Sequence, residues 1–241
     1  MFDRKTIEYF DRNQYEYSLE RMRYVVSVLN TMGKPGDSLV DIGCGTGNTI
    51  EMLGRETPVT DFAGIDASEN YAAKARGRTG CRTYHGSILD TAFTDSIPER
   101  FDFALLSMVL HHLIGKTRQE SRELAVRAIE NALVLLKPGG TLFIVEAAFS
   151  PAFLMDLLFH VKKFVSNFTS ERMELGASWY NIGPPVVSYY TNAQLIRMVG
   201  SVYGAEIVDR EIWEKRVRAF PMYLLGRTNT TLVVRKRRRL E

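Results

Sequence analysis

Apolar positions change their period along the chain, and the changes mark out the elements. From Ile7 through Phe10, Tyr15, Leu19, Met22, Val26 and Leu29 they recur every three to five residues, which predicts helix over residues 1–33. Gly33-Lys34-Pro35-Gly36 breaks that pattern. Shorter runs follow: residues 39–42, 61–66, 82–85, 101–107 and 141–146 read as five strands separated by stretches of helical period. Strands alternating with helices predict an α/β fold, a doubly wound and mostly parallel sheet. Residues 205–213 and 230–234 supply two further strands, which makes the expected sheet seven-stranded.

Thr117-x-x-Glu120 and Thr191-x-x-Gln194 are capping-box signals. The first opens a long helix with Leu124, Ala128, Ala132, Leu133 and Leu136 toward the core and a stop at Lys137-Pro138-Gly139-Gly140. Ser150-Pro151 offers an N-cap with proline at the first helical position. Beyond it, Phe153, Leu154, Leu157, Leu158, Val161, Phe164, Val165 and Phe168 share one arc opposite Asp156, Lys162, Lys163 and Asn167, with Met155 and Phe159 outside it. That arc is expected to meet the sheet, an apolar acceptor as a lid, or a membrane surface. Residues 179–190, rich in Trp, Tyr and Pro, and Phe220-Pro221-Met222-Tyr223 are walls for a flat ligand or packing for this insert.

Composition narrows the classes. At 241 residues and 45% apolar, one core with an appended cap is expected. A formal net charge of +3 is too small to imply nucleic acid. Two cysteines, Cys44 and Cys81, permit neither a disulfide framework nor a zinc cluster, so no metal is expected and the setting reads as cytosolic. The N-terminus is charged at once and no run of eighteen apolar residues occurs, so neither an export signal nor a membrane span is expected. Arg235-Lys236-Arg237-Arg238-Arg239 reads as a solvated tail, with anionic lipid or nucleic acid as the alternatives.

The chemistry centres on residues 39–50, an apolar strand running into Gly43-x-Gly45-x-Gly47 and then a helix start. Glycines there bring bare backbone amides against a ligand. A dinucleotide site requires G-x-G-x-x-G, but the third position is Asn48 counted from Gly43 and Ile50 counted from Gly45. A nicotinamide dehydrogenase is therefore disfavoured. What remains, Asp41-x-Gly43-x-Gly45-x-Gly47, resembles motif I of the class I S-adenosylmethionine (SAM) dependent methyltransferases, of the small-molecule, quinone-biosynthesis-like type. Phe101-Asp102 running to Ser107-x-Val109-Leu110-His111-His112-Leu113 and Leu136-Lys137-Pro138-Gly139-Gly140-x-Leu142 are similar to that family's marks at strands four and five.

The resemblance implies a Rossmann-like fold with SAM as cofactor and S-adenosylhomocysteine (SAH) as product. Asp41, Gly43, Cys44, Gly45, Thr46 and Gly47 would wrap the methionine half, and Asp66 with Ala67 would hold the ribose, although an acid there also caps helices beside Ser68. The family's acid for the adenine amino group is replaced by Ser87, so Ser87 and Ile88, or else Asp90, would take that contact. Ser107 would line the cofactor site, Tyr15 in the N-terminal segment its mouth, and Arg21 the SAM carboxylate. His111 and His112 arrive where donor and acceptor meet; either suits a general base near neutral pH, at most one is expected to face the pocket, and His111 is the favoured one. One domain is expected: residues 1–36 as N-terminal helical segment, 37–148 as cofactor core, 149–190 as cap, 191–235 as the remaining helix and strands, and 236–241 as tail. The implied partner is a small apolar or aromatic acceptor. Peripheral membrane contact through cap helix or tail, a non-catalytic SAM-binding role, and methylation of nucleic acid stand as alternatives.

Overall fold

The computed structural model describes residues 19–166, 173–174, 181–182, 186–214 and 226–237. The chain runs through α1 (Leu19–Met32), β1 (Ser38–Ile42), α2 (Asn48–Glu56), β2 (Asp61–Asp66), α3 (Glu69–Thr79), β3 (Arg82–His85), α4 (Thr91–Ser96) and β4 (Phe101–Ser107). A 3-10 turn (Leu110–His112), α5 (Arg118–Val134), β5 (Leu136–Ser150), α6 (Ala152–Val165), the short β6 (Met173–Glu174) and β7 (Asn181–Ile182), α7 (Asn192–Gly200), β8 (Ala205–Glu214) and β9 (Gly226–Lys236) follow. The main sheet has seven strands in the order β3-β2-β1-β4-β5-β9-β8. Neighbours from β3 to β5 pair in parallel, and β9 runs antiparallel to both β5 and β8. The expected doubly wound, mostly parallel sheet is thus the observed one.

Alternation along the strands sends successive side chains to opposite faces. On β5, Phe143 and Val145 join Met22, Val25 and Leu29 of α1, while Leu142 and Ile144 join Ala125, Ala128, Ile129 and Ala132 of α5. Strand order reverses between β1 and β4, and a crevice opens beyond their carboxyl ends, where α/β sheets hold ligands.

Several local expectations need correcting. Thr117 accepts the Glu120 amide as foreseen, but the Glu120 carboxylate takes the amide of Lys116 rather than of Thr117; the reciprocal box forms in full at Thr191 and Gln194. Leu136 begins β5 instead of ending α5, and β5 continues through Ser150, because its ladder with β9 runs from Thr141–Arg235 to Ser150–Gly226. Pro151 then occupies the N-cap of α6.

The cap helix does not turn the whole of its apolar arc onto the sheet. Met155, Phe159 and Lys162 point inward, while Phe153, Leu157 and Phe164 are 66%, 59% and 65% exposed. Polar residues fix this rotation. Asp156 accepts from Arg118 Nε at 2.9 Å, Lys163 Nζ donates to the Gly115 carbonyl at 3.1 Å, and Phe159 lies beneath both cations. Arg235, the first residue of the basic run, pairs with Thr141, whereas α6 leaves the far end of β5 after Ser150. At about 3.3 Å per residue, the nine steps from Thr141 to Ser150 set the two roughly 30 Å apart along the strand.

Candidate functional site

The turn after β1 is shaped by positive φ at three glycines, 78° at Gly43, 53° at Gly45 and 83° at Gly47. The Gly43 and Cys44 amides both donate to the Ile65 carbonyl of β2, at 2.7 and 3.0 Å. A side chain at Gly43 would strike Val109, whereas one at Gly45 would meet nothing within 4 Å. The turn is therefore packed on one side and open on the other.

That open side faces a cleft of about 730 Å³ including its mouth. Each strand end contributes: Ile42, Gly43 and Gly45 after β1; Ile65, Asp66, Ala67, Ser68 and Tyr71 after β2; Gly86 and Ile88 after β3; Ser107, Met108, Val109 and His112 after β4. Asp66 clamps the turn, one carboxylate oxygen accepting the Gly45 amide at 2.9 Å and the other the Ser68 amide at 2.8 Å. Ser68 is meanwhile the N-cap of α3. The Ser107 hydroxyl is buried against the cleft with no hydrogen-bond partner among the described residues. Met108 next to it adopts φ 58°, a left-handed conformation that a non-glycine residue holds only where its surroundings impose it.

Not every expected residue reaches the cleft. Asp41 is buried behind the turn, and burial, followed by the Asp66 carboxylate, pushes its pKa up to about 7. The Cys44 side chain packs with Ile50 and Ala75, where burial raises its thiol far above the ordinary range. Thr46 and Gly47 shape the turn without lining the cleft. Ser87 Oγ accepts the Leu89 amide, and Asp90 caps α4 through the Phe93 amide, so both side chains are held by their own backbone. Tyr15 lies outside the described residues.

The two histidines separate. His112 lines the cleft, and His111 does not. The favoured orientation is reversed because residues 110–112 form a tight 3-10 turn whose first two members are captured by Glu146. One Glu146 oxygen accepts the Leu110 amide at 2.7 Å and the other meets His111 Nδ1 at 2.6 Å. His111 meets His112 with tilted rings at 4.0 Å and stacks on Tyr189 at 5.0 Å, and Tyr189 packs against Phe149 at 4.5 Å. Burial first, then His111 and Lys162, hold His112 well below its usual pKa, so the ring is uncharged near neutral pH. Beside Met108 lies an apolar group of Ala147, Phe149 and Met155 with Leu154, Leu158 and Tyr189.

Sequence reasoning passed over Glu146 and Arg118. A lone carboxylate closing the apolar run of residues 141–146 was a signal of the same kind as Asp66. Arg118 gave none, since it sits in a helical first turn; it donates to Asp156, to Ser188 Oγ at 2.6 Å and to the Tyr189 carbonyl at 2.7 Å, riveting α5 to cap and aromatic segment.

Residues 40–142 match a family described as a methyltransferase domain. A human protein named probable tRNA methyltransferase 9B is 34% identical over 111 residues, 46% of this chain and 21% of that protein. Trans-aconitate 2-methyltransferase of Acidovorax ebreus is 34% identical over 98 residues, 40% of this chain and 38% of that one. The chain thus spans well under half the length of these relatives. Among solved structures, the N-methyltransferase NodS of Bradyrhizobium japonicum, in complex with SAH, superposes with a TM-score of 0.58 at 16% identity, covering 95% of this chain and 98% of its own, and shares the fold. Residues 40–142, the stretch similar to a methyltransferase domain, carry the glycine turn, Asp66 and both histidines.

Proposed function

We propose that the chain transfers a methyl group from SAM to a small apolar or aromatic acceptor held under the cap. The observation that carries the reading is the cleft at the switch point, lined by Gly45, which has open space beside it, and by Ser107, whose buried hydroxyl has no hydrogen-bond partner among the described residues. Those features fit the cofactor: Gly43, Gly45 and Ser107 would meet the methionine half, Asp66 the ribose hydroxyls, and Ile88 the adenine ring. The Gly45 and Ser68 amides, one on each oxygen, fix the direction of that carboxylate.

SAM supplies an electrophilic methyl group on a cationic sulfur. Beside that charge, an uncharged His112 adds no repulsion, and its lone pair takes the proton of an acceptor O–H, N–H or S–H as the acceptor atom attacks. Most of the rate comes from placement, since alignment in a closed site is worth about 7–11 kcal/mol. The apolar group at Met108, Phe149, Met155 and Tyr189 borders the cleft and favours an acceptor with an apolar body.

A second reading has its own support. The human relative is named for tRNA, so the expectation that nucleic acid is not the acceptor gains nothing from the relatives. Incubation with methyl-labelled SAM separates the two, using quinols, phenols and lipid extracts in one arm and total tRNA and rRNA in the other. Label in the small-molecule fraction is expected. Label confined to RNA contradicts the acceptor class, and bound SAH without label in either arm favours a non-catalytic role.

A further inference from the structure

The residue closing the inner run of β5 does not line the cleft, yet it holds more of the site together than any other buried acid described. Glu146 is 1% exposed and reaches two successive residues of the turn before His112, the Leu110 amide and the His111 ring. A buried carboxylate is retained only when its lone pairs are met by donors, and here an amide and an imidazole meet them. A carboxylate oxygen facing Nδ1 accepts the hydrogen that this nitrogen carries, which selects the Nδ1–H form of the ring. His111 is held further: its carbonyl accepts the Ser188 amide at 2.8 Å, and its ring contacts those of Tyr189 and His112.

We propose that Glu146 is the positioning residue of this site: by taking the Leu110 amide and the His111 Nδ1–H together, it fixes the tautomer and direction of His111 and, through the tilted ring contact, aims His112 at the acceptor. The proposal rests on the methyl-transfer reading for the word acceptor, but the geometry it predicts belongs to the protein alone. Removing the negative charge while keeping the size of the side chain is the informative change. A glutamine can still accept the Leu110 amide, but it then offers its NH2 to His111 Nδ1, which favours the opposite tautomer.

The test is nitrogen-15 NMR of histidine-labelled protein with SAH added, where lone-pair and protonated ring nitrogens resonate far apart. The chain has four histidines, His85, His111, His112 and His160, so single substitutions assign every ring. The wild type is expected to show His111 with Nδ1 protonated. Glu146→Gln is expected to move His111 to the Nε2–H form or a mixture and to displace the His112 signals, whereas Glu146→Asp, which keeps the carboxylate, restores the Nδ1–H form at least in part. A wild-type His111 protonated on Nε2, or a folded Glu146→Gln protein with both rings unchanged, overturns the proposal. Calorimetric titration of SAH into the wild type is read separately: absence of binding there strikes the cofactor reading and leaves the tautomer result standing.

Discussion

Asp66 Oδ2 accepts the backbone amide of Gly45 at 2.9 Å across the end of the sheet. The bond joins the loop after β1 to the end of β2 at the point where a ligand would rest on both. It has two consequences. The carboxylate is oriented before any ligand arrives, and the turn that presents Gly45 is stiffened by the residue expected to bind beside it. Preorganisation of this kind lowers the ordering cost of binding.

Two glycines of the turn are expected to respond differently to alanine. Gly43→Ala places a methyl group 2.6 Å from Val109 Cγ2 at φ 78°, and should destabilise the fold by several kcal/mol. Gly45→Ala meets no atom and should cost about 1 kcal/mol for its backbone alone, but its methyl projects into the cleft and should abolish SAH binding. Thermal unfolding paired with calorimetry checks both.

Asp41 gives a pH signature with a definite sign. Its folded pKa of about 7 lies above the ordinary carboxyl value of 3.8, so the folded chain holds a proton that the unfolded chain has released between those two pH values. The Asp41 contribution is thus full below pH 3.8, is lost as pH rises toward 7, and changes no further above it. The steepest loss is about 1.4 kcal/mol per pH unit. Asp41→Asn should flatten this window and raise stability at pH 8 relative to wild type, measured by urea unfolding at several pH values.

Arg118→Ala should loosen the cap. It removes donors to the half-exposed Asp156, the buried Ser188 and the part-buried Tyr189 carbonyl, at a cost of about 2–4 kcal/mol. Arg118→Lys should recover little, because one ammonium cannot reach three partners held in a fork. Denaturant midpoints, with proteolysis after residue 150 as a local probe, report the loss.

The rotation of α6 is tested by four phenylalanine and leucine changes. Phe159→Ala should cost about 3–5 kcal/mol, because its ring is fully buried beneath two cations. Phe153→Ser, Leu157→Ser and Phe164→Ser should each stay within about 0.5 kcal/mol. The reverse pattern would put the whole apolar arc on the sheet.

Much of the fold was legible because period and turn chemistry act locally. Runs ending at Ile42, Asp66 and Ser107 could be read as strands from their own residues, and the glycine turn and Asp66 marked a ligand site without knowledge of any neighbour. What could not be read depends on distant partners. Nothing near residues 150–165 shows that Arg118 will recruit Asp156 and so rotate the helix, and no property of His111 alone shows that Glu146, 35 residues on, will take its ring and leave His112 to face the cleft. The extension of β5 through Ser150 is likewise set by its pairing with β9.

The central claim is that Gly45, Ser107 and Asp66 together hold the adenosyl cofactor. Isothermal titration of SAH into wild type and Asp66→Ala tests it most directly. Saturable binding at one site per chain is expected for wild type, with affinity at least about 100-fold weaker in the variant, a loss of about 2.7 kcal/mol. Equal affinity in the two proteins, or no heat from wild type, would contradict it.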